Sequence, residues 1–228
     1  MCIKKKISVI TFPGSNCDRD LIVAIRKILN IEPEIIWHKE SKINKTNMIL
    51  IPGGFSYGDY LRAGVLATKS PAIQEVIRYS KKGIPIVGIC NGFQILTECK
   101  LLPGILMKNT NPKFLCKDVY LKLNKNNKFS TLHEKPIIKL PIAHSQGNFF
   151  LNKSRIKPLI DNQQIVYQYC NEIGLIEEKS NPNGSIFNIA GITNSRGNVL
   201  GMMPHPERAI KNSLIDGEIF FKKLENLL

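Results

Sequence analysis

The chain lacks any long apolar run. Its hydrophobic stretches fall far short of 18 residues, so no transmembrane helix is expected. No secretory leader is expected either: Lys4-Lys5-Lys6 leads into a short β-like stretch and then Pro13-Gly14, not a leader's apolar core. A cytoplasmic protein is therefore expected. Its six cysteines, at positions 2, 17, 90, 99, 116 and 170, include no C-x-x-C pair. That argues against a structural zinc site and for reduced thiols, with no metal. Cys99 and Cys116 read as packing residues. No phosphate loop is present, so no nucleotide-binding motif is read on this chain. Acidic residues are scarce: 18 Asp and Glu against 32 Lys and Arg, a net charge of +14. Such a field attracts nucleic acid or acidic partners. The lysines are dispersed, however, and not interleaved with aromatics as in a single-strand binding platform. Isoleucine, lysine and asparagine are abundant throughout, as in the loop Asn124-Lys125-Asn126-Asn127-Lys128. The charge thus reads as composition bias, and neither nucleic acid nor membrane is an expected partner.

What is present is the punctuation of an α/β fold. At 228 residues and 43% hydrophobic the chain can bury one core as a single domain, 1–228, or two small ones. Strands are expected at Ile7 to Thr11, Glu34 to Trp37, Met48 to Ile51 and Ile86 to Ile89. Helices are expected from about Asp18 to Leu29 and from Ser70-Pro71 to about Lys82, the second with Ser70 as its capping residue. This alternation predicts a three-layer, doubly wound, mostly parallel sheet. Beyond Leu102-Pro103-Gly104 the period changes. Phe114 to Leu123, Ile137 to Ala143 and Ile165 to Tyr169 read as an antiparallel β section. Ile215 to Leu228 reads as a closing helix, and Thr131 to Lys135 and Asn152 to Lys157 as loops.

Three motifs carry chemistry. Gly88-Ile89-Cys90-Asn91-Gly92 follows a buried strand and opens a helix, the layout of a nucleophile elbow with a thiol in place of a hydroxyl. A helix N-terminus favours thiolate over thiol. Pro204-His205-Pro206-Glu207 offers a base and an orienting carboxylate. In an extended segment, residues two apart share a side, so His205 and Glu207 could pair and leave one imidazole nitrogen for Cys90. Gly53-Gly54, after the third strand, could aim backbone N–H groups at an oxyanion. On the residues alone the plainer readings stay open: an inert buried thiol, a solvated loop histidine and an ordinary glycine turn. The carboxyl ends of parallel strands are nevertheless where such sheets carry their sites, and Cys90 and Gly53-Gly54 both fall there.

Taken together these segments resemble the class I (triad) glutamine amidotransferases, which have a flavodoxin-like α/β fold. The resemblance runs nearly end to end: F-P-G-S-N-C-D at 12–18, P-G-G-F-S-Y-G-D-Y-L-R-A-G at 52–64, G-I-C-N-G-F-Q-I-L-T-E at 88–98, A-H-S-Q-G-N-F at 143–149 and G-N-V-L-G-M-M-P-H-P-E-R-A at 197–209. The second and last are specific to the branch that supplies ammonia to purine biosynthesis. The resemblance implies Cys90 as nucleophile, His205 as base and then acid, and Glu207 as orienting carboxylate. It implies an oxyanion site near Gly53, Gly54 and Asn91, with Gln94 holding the substrate glutamine. It further implies a synthetase partner that uses ATP and magnesium to make formylglycinamidine ribonucleotide, with a small accessory subunit as a further candidate. No cofactor is implied on this chain. His144 is a second candidate, with a structural role as the alternative, and Cys17 reads as structural. One position departs from the pattern: relatives usually have H-G-E-G or H-A-E-G where this chain reads His144-Ser145-Gln146-Gly147, so no essential role is carried to Gln146. Two rivals remain at this level, another Cys-elbow hydrolase and a non-catalytic subunit that kept the fold.

Overall fold

The computed structural model describes residues 5–125, 127–211 and 215–228. Cys2, Lys4 and Asn126 of the 124–128 loop lie outside the described residues. Eleven strands form among them: β1 (Ile7–Thr11), β2 (Glu34–Trp37), β3 (Met48–Ile51), β4 (Ile86–Ile89), β5 (Ile105–Met107), β6 (Leu115–Leu123), β7 (Ile137–His144), β8 (Asn148–Phe150), β9 (Ile165–Cys170), β10 (Ile189–Thr193) and β11 (Val199–Met202). The α-helices are α1 (Asp18–Leu29), α2 (Pro71–Lys81), α3 (Asn91–Glu98), α4 (Lys153–Asp161) and α5 (Asp216–Leu224).

Nine strands make one sheet in the order β2-β1-β3-β4-β11-β10-β9-β6-β7, and β5 pairs with β8 separately. The run from β2 to β11 is parallel and the run from β11 to β7 antiparallel. The burial pattern explains the difference. Strands β3 and β4 are buried at every residue, as parallel strands covered by helices on both faces must be. Strand β7 instead alternates buried with partly exposed residues along its whole length, the mark of a sheet with one wet face. Cys116 of β6, opposite Ala143, is exposed rather than packed. Cys99 is partly buried, and burial pushes its thiol up to about 11.

Strand β11 decides where the site forms. It lies beside β4 in parallel, with Met202 opposite Ile89. The chain therefore leaves the antiparallel section and re-enters next to the elbow, and both strands deliver their following residues to the same sheet edge.

Three local expectations are corrected. Ser70 precedes α2, but its side chain does not cap the helix; its Oγ lies 3.1 Å from the Tyr57 hydroxyl and 3.3 Å from His38 Nδ1. Residues 152–157 are not a loop. Asn152 caps α4 by accepting from Ser154 N at 3.2 Å, and the helix continues past Pro158. The 131–135 segment is partly helical, since a 3₁₀ turn spans Lys128–Leu132.

Candidate active site

Cys90 stands between β4 and α3 with φ 50° and ψ −103°. This is a costly conformation for a residue with a side chain. The neighbours enforce it. Cys90 N donates to Met202 O at 2.7 Å, which stitches the elbow to β11. A Cβ on Gly92 would lie 2.2 Å from the Ile51 carbonyl oxygen, so only glycine lets α3 start this close to β3. The thiol is 4% exposed and directed at the Ala143 carbonyl oxygen, 3.7 Å away.

His205 follows β11, with its N–H donating to Pro141 O at 2.8 Å. The expected extended segment is corrected here: Pro206–Arg208 forms a 3₁₀ turn. Proline is suited to the first helical position, where its missing N–H has no role. The turn folds Glu207 back, and His205 Nδ1 donates to Glu207 Oε1 at 2.6 Å. Both side chains are only 1% exposed. Burial works against a charged imidazole, but the Glu207 carboxylate, reinforced by Cys90, more than offsets it and holds His205 well above the usual histidine range. Nε2 is buried with no hydrogen-bond partner. Hydrogen bonds of this kind commonly tighten only once substrate is bound.

The remaining residues converge on the same place. A Cβ on Gly53 would sit 2.7 Å from His205 Cε1 and 3.3 Å from Cys90 Cβ, so the backbone here is pressed between Cys90 and His205. Gly54, Cys90 and Gln94 line one small cavity with Phe55, Asp59 and Ala143 to Gln146. Asn91 opens α3, whose first N–H groups have no partner within the helix. Its side chain accepts from Ser56 N at 3.2 Å and donates to Gln94 Oε1 at 2.8 Å. Gln94 Nε2 donates to the Gln146 carbonyl at 2.7 Å. These bonds draw the walls together, and the cavity, at about 10 Å³, has room for about one water.

His144 also lines the cavity, but both ring nitrogens are engaged. Asn109 Oδ1 accepts from Gly147 N at 3.0 Å, which orients its amide and makes His144 Nδ1 the donor to it at 3.2 Å. Asn183 Nδ2 faces Nε2 at 3.5 Å. Burial lowers His144 to about 4, so it is a neutral ring and a strut of the wall.

Cys17 was not expected at the site. Its sulfur accepts from Arg208 Nη2 at 3.1 Å, and it shares a cluster with His205 and Glu207 whose donor atoms all lie within 4.8 Å of one another. The signal for it was topological: β1 lies two places from β4 in a parallel run, so the turn after β1 opens at the same edge. The three residues have metal-ligand types. Yet Glu207 is engaged by Nδ1 and the sulfur by a guanidinium, which opposes a cation.

The profile of the CobB/CobQ-like glutamine amidotransferase domain matches residues 4–216. The chain belongs to this glutamine amidotransferase family. Among family members, phosphoribosylformylglycinamidine synthase subunit PurQ of Pelagibacter ubique is 49% identical over 97% of this chain and 98% of its own. The subunit of the same name from Chlorobium chlorochromatii is 45% identical over 96% and 95%. Of solved amidotransferase structures, PurLQS from Thermotoga maritima superposes with a TM-score of 0.84 at 37% identity, covering 98% of this chain and 99% of that one. A glutamine amidotransferase from the same organism, at 16% identity and a TM-score of 0.62 over 98% and 97%, shares the fold.

Proposed function

We propose that this chain, acting as a single domain over 1–228, is the glutaminase subunit of phosphoribosylformylglycinamidine synthase. It hydrolyses L-glutamine to glutamate and ammonia. The ammonia passes to a synthetase subunit, which makes formylglycinamidine ribonucleotide in purine biosynthesis. ATP and magnesium belong to that partner, and a small third subunit completes the assembly. Relatives of the same name over the full length support this reading. So does the likeness to PurLQS. Exposed Tyr60 and Leu61, just beyond the cavity wall at Asp59, offer a partner apolar surface beside the mouth. Among the described residues no helix is long and apolar enough to cross a membrane; the proposed site of action is the cytoplasm.

The observation that carries the mechanism is the buried His205–Glu207 pair, set at the elbow with Nε2 unpartnered. Cys90 sulfur attacks the side-chain carboxamide carbon of glutamine. The oxyanion that forms is held by backbone N–H groups near Gly54 and at Asn91, each worth roughly 3–4 kcal/mol in the transition state. Imidazolium His205 gives its proton to the departing nitrogen, the C–N bond breaks, and a γ-glutamyl thioester remains on Cys90. His205, now neutral, takes a proton from water. The resulting hydroxide displaces the sulfur and releases glutamate. Glu207 holds the imidazole in the tautomer that leaves Nε2 facing the reaction.

Exposure to 6-diazo-5-oxo-norleucine, followed by mass spectrometry, tests this reading. One adduct on Cys90, blocked by excess glutamine, is expected. No adduct with the synthetase present overturns it.

A further inference from the structure

Resting on the glutaminase reading, we propose that Asp59 is the glutamine-recognition residue, its carboxylate receiving the substrate's α-ammonium group. Among the described residues, Asp59 is the one acidic side chain lining the cavity beside Cys90. The other polar groups of the wall are neutral: Gln94, Ser145, Gln146, and His144 with both nitrogens engaged. Glutamine brings a cation into this space, and in a chain of net charge +14 that cation needs a local anion.

Asp59 is built for the task and left unsatisfied. Its Oδ1 is buried without a hydrogen-bond partner. A desolvated carboxylate without a partner is costly; one that meets an ammonium group in the working state is not. Burial pushes Asp59 up to about 6, in accord with this isolation. The loop that presents it is held firmly. Tyr57, Gly58 and Asp59 all adopt left-handed backbone, with φ 55°, 71° and 53°. Phe55 N and Tyr57 N donate to Gly14 O and Pro13 O, each at 2.8 Å. The Tyr57 hydroxyl shares a 2.7 Å hydrogen bond with His38 Nδ1. None of these contacts uses the Asp59 carboxylate, so the anchoring does not depend on it.

The test compares glutamine with 4-carbamoylbutanoate, which has the same amide and carboxylate but no α-amino group. Ammonia release is measured for the wild-type chain and for Asp59→Asn, each reconstituted with the synthetase and small subunit. A charge-assisted hydrogen bond predicts that Asp59→Asn raises the glutamine KM about 10- to 100-fold while kcat stays within a few-fold. Turnover of 4-carbamoylbutanoate should be unchanged, so the wild-type preference for glutamine collapses. Equal loss on both substrates marks a merely structural or docking role and overturns the proposal, as does an unchanged glutamine KM. The ratio of the two substrates is independent of how much variant is folded. If the wild-type complex released no ammonia from glutamine, the glutaminase reading itself would fail, a result distinct from either outcome for Asp59.

Discussion

Gly92→Ala places a methyl group where the structure has a main-chain oxygen. The new Cβ would lie 2.2 Å from the Ile51 carbonyl oxygen, 3.0 Å from its carbon and 3.1 Å from Ile51 Cβ. None of these is the tip of a flexible side chain, and Ile51 is tied into the sheet opposite Gly88. A relaxed contact lies near 3.5 Å, so α3 and β3 must part by about 1 Å. Overpacking of this kind costs about 1–3 kcal/mol, and a backbone clash belongs at the upper end. For a chain of this size each kcal/mol moves Tm by about 2–4 °C, giving a fall of about 6–12 °C. The same displacement carries Cys90 and Asn91 away from His205, and a shift of about 1 Å at a reacting group costs about 100-fold in rate. Thermal melting followed by circular dichroism and glutamate release in the reconstituted complex are the two assays. A variant that melts with the wild type and keeps its kcat would refute the argument that glycine is required for this approach.

Other outcomes follow from the same geometry. Glu207→Gln removes the charge that holds His205 in its tautomer; by analogy with an orienting carboxylate in serine hydrolases, kcat should fall about 10⁴-fold, measured as glutamate release with KM little changed. Asp59→Asn should stabilise the fold at neutral pH. The carboxylate titrates near 6 when folded and near 4 when unfolded, so the wild type loses stability as pH rises from about 4 through 6. The Tm gain of the variant should be absent below pH 4 and complete above pH 6, and a gain confined to acid would contradict the assignment. Gln146→Glu should leave kcat/KM within about threefold, because Gln94 is held by the main-chain carbonyl of residue 146, which does not depend on the side chain; a loss of about tenfold or more would show that the side chain matters.

Much of the parallel half was legible because its strands are short apolar runs bounded by glycine and proline. Ile86 to Ile89 and Met48 to Ile51 are examples, and burial on both faces leaves such runs little alternative. The elbow was legible for the same reason. The His205–Glu207 pairing was foreseen but its backbone was not: an extended segment was expected, whereas Pro206 starts a short 3₁₀ turn. Helix α4 was hidden by its polar composition and by Pro158. Cys17 and Asp59 were invisible in a different sense. Each takes its meaning from neighbours distant in sequence, Arg208 and His205 for the thiol and the wall at 143–146 for the carboxylate, and no local pattern carries that information.

The adjacency of β4 and β11 ties the site around Cys90 to the arrival of β11, the last strand among the described residues. A growing polypeptide that has reached α3 already holds Cys90, but His205 follows β11, a strand that emerges only after the other antiparallel strands. Until β11 inserts beside β4, Cys90 N has no Met202 carbonyl to bond and His205 has no place at the elbow. Fragments that end before β11 therefore carry Cys90 without His205 beside it. Pairing between such distant segments is slow, so the juxtaposition of Cys90 and His205 is among the last features to form, and its presence certifies that the parallel and antiparallel parts of the sheet have met.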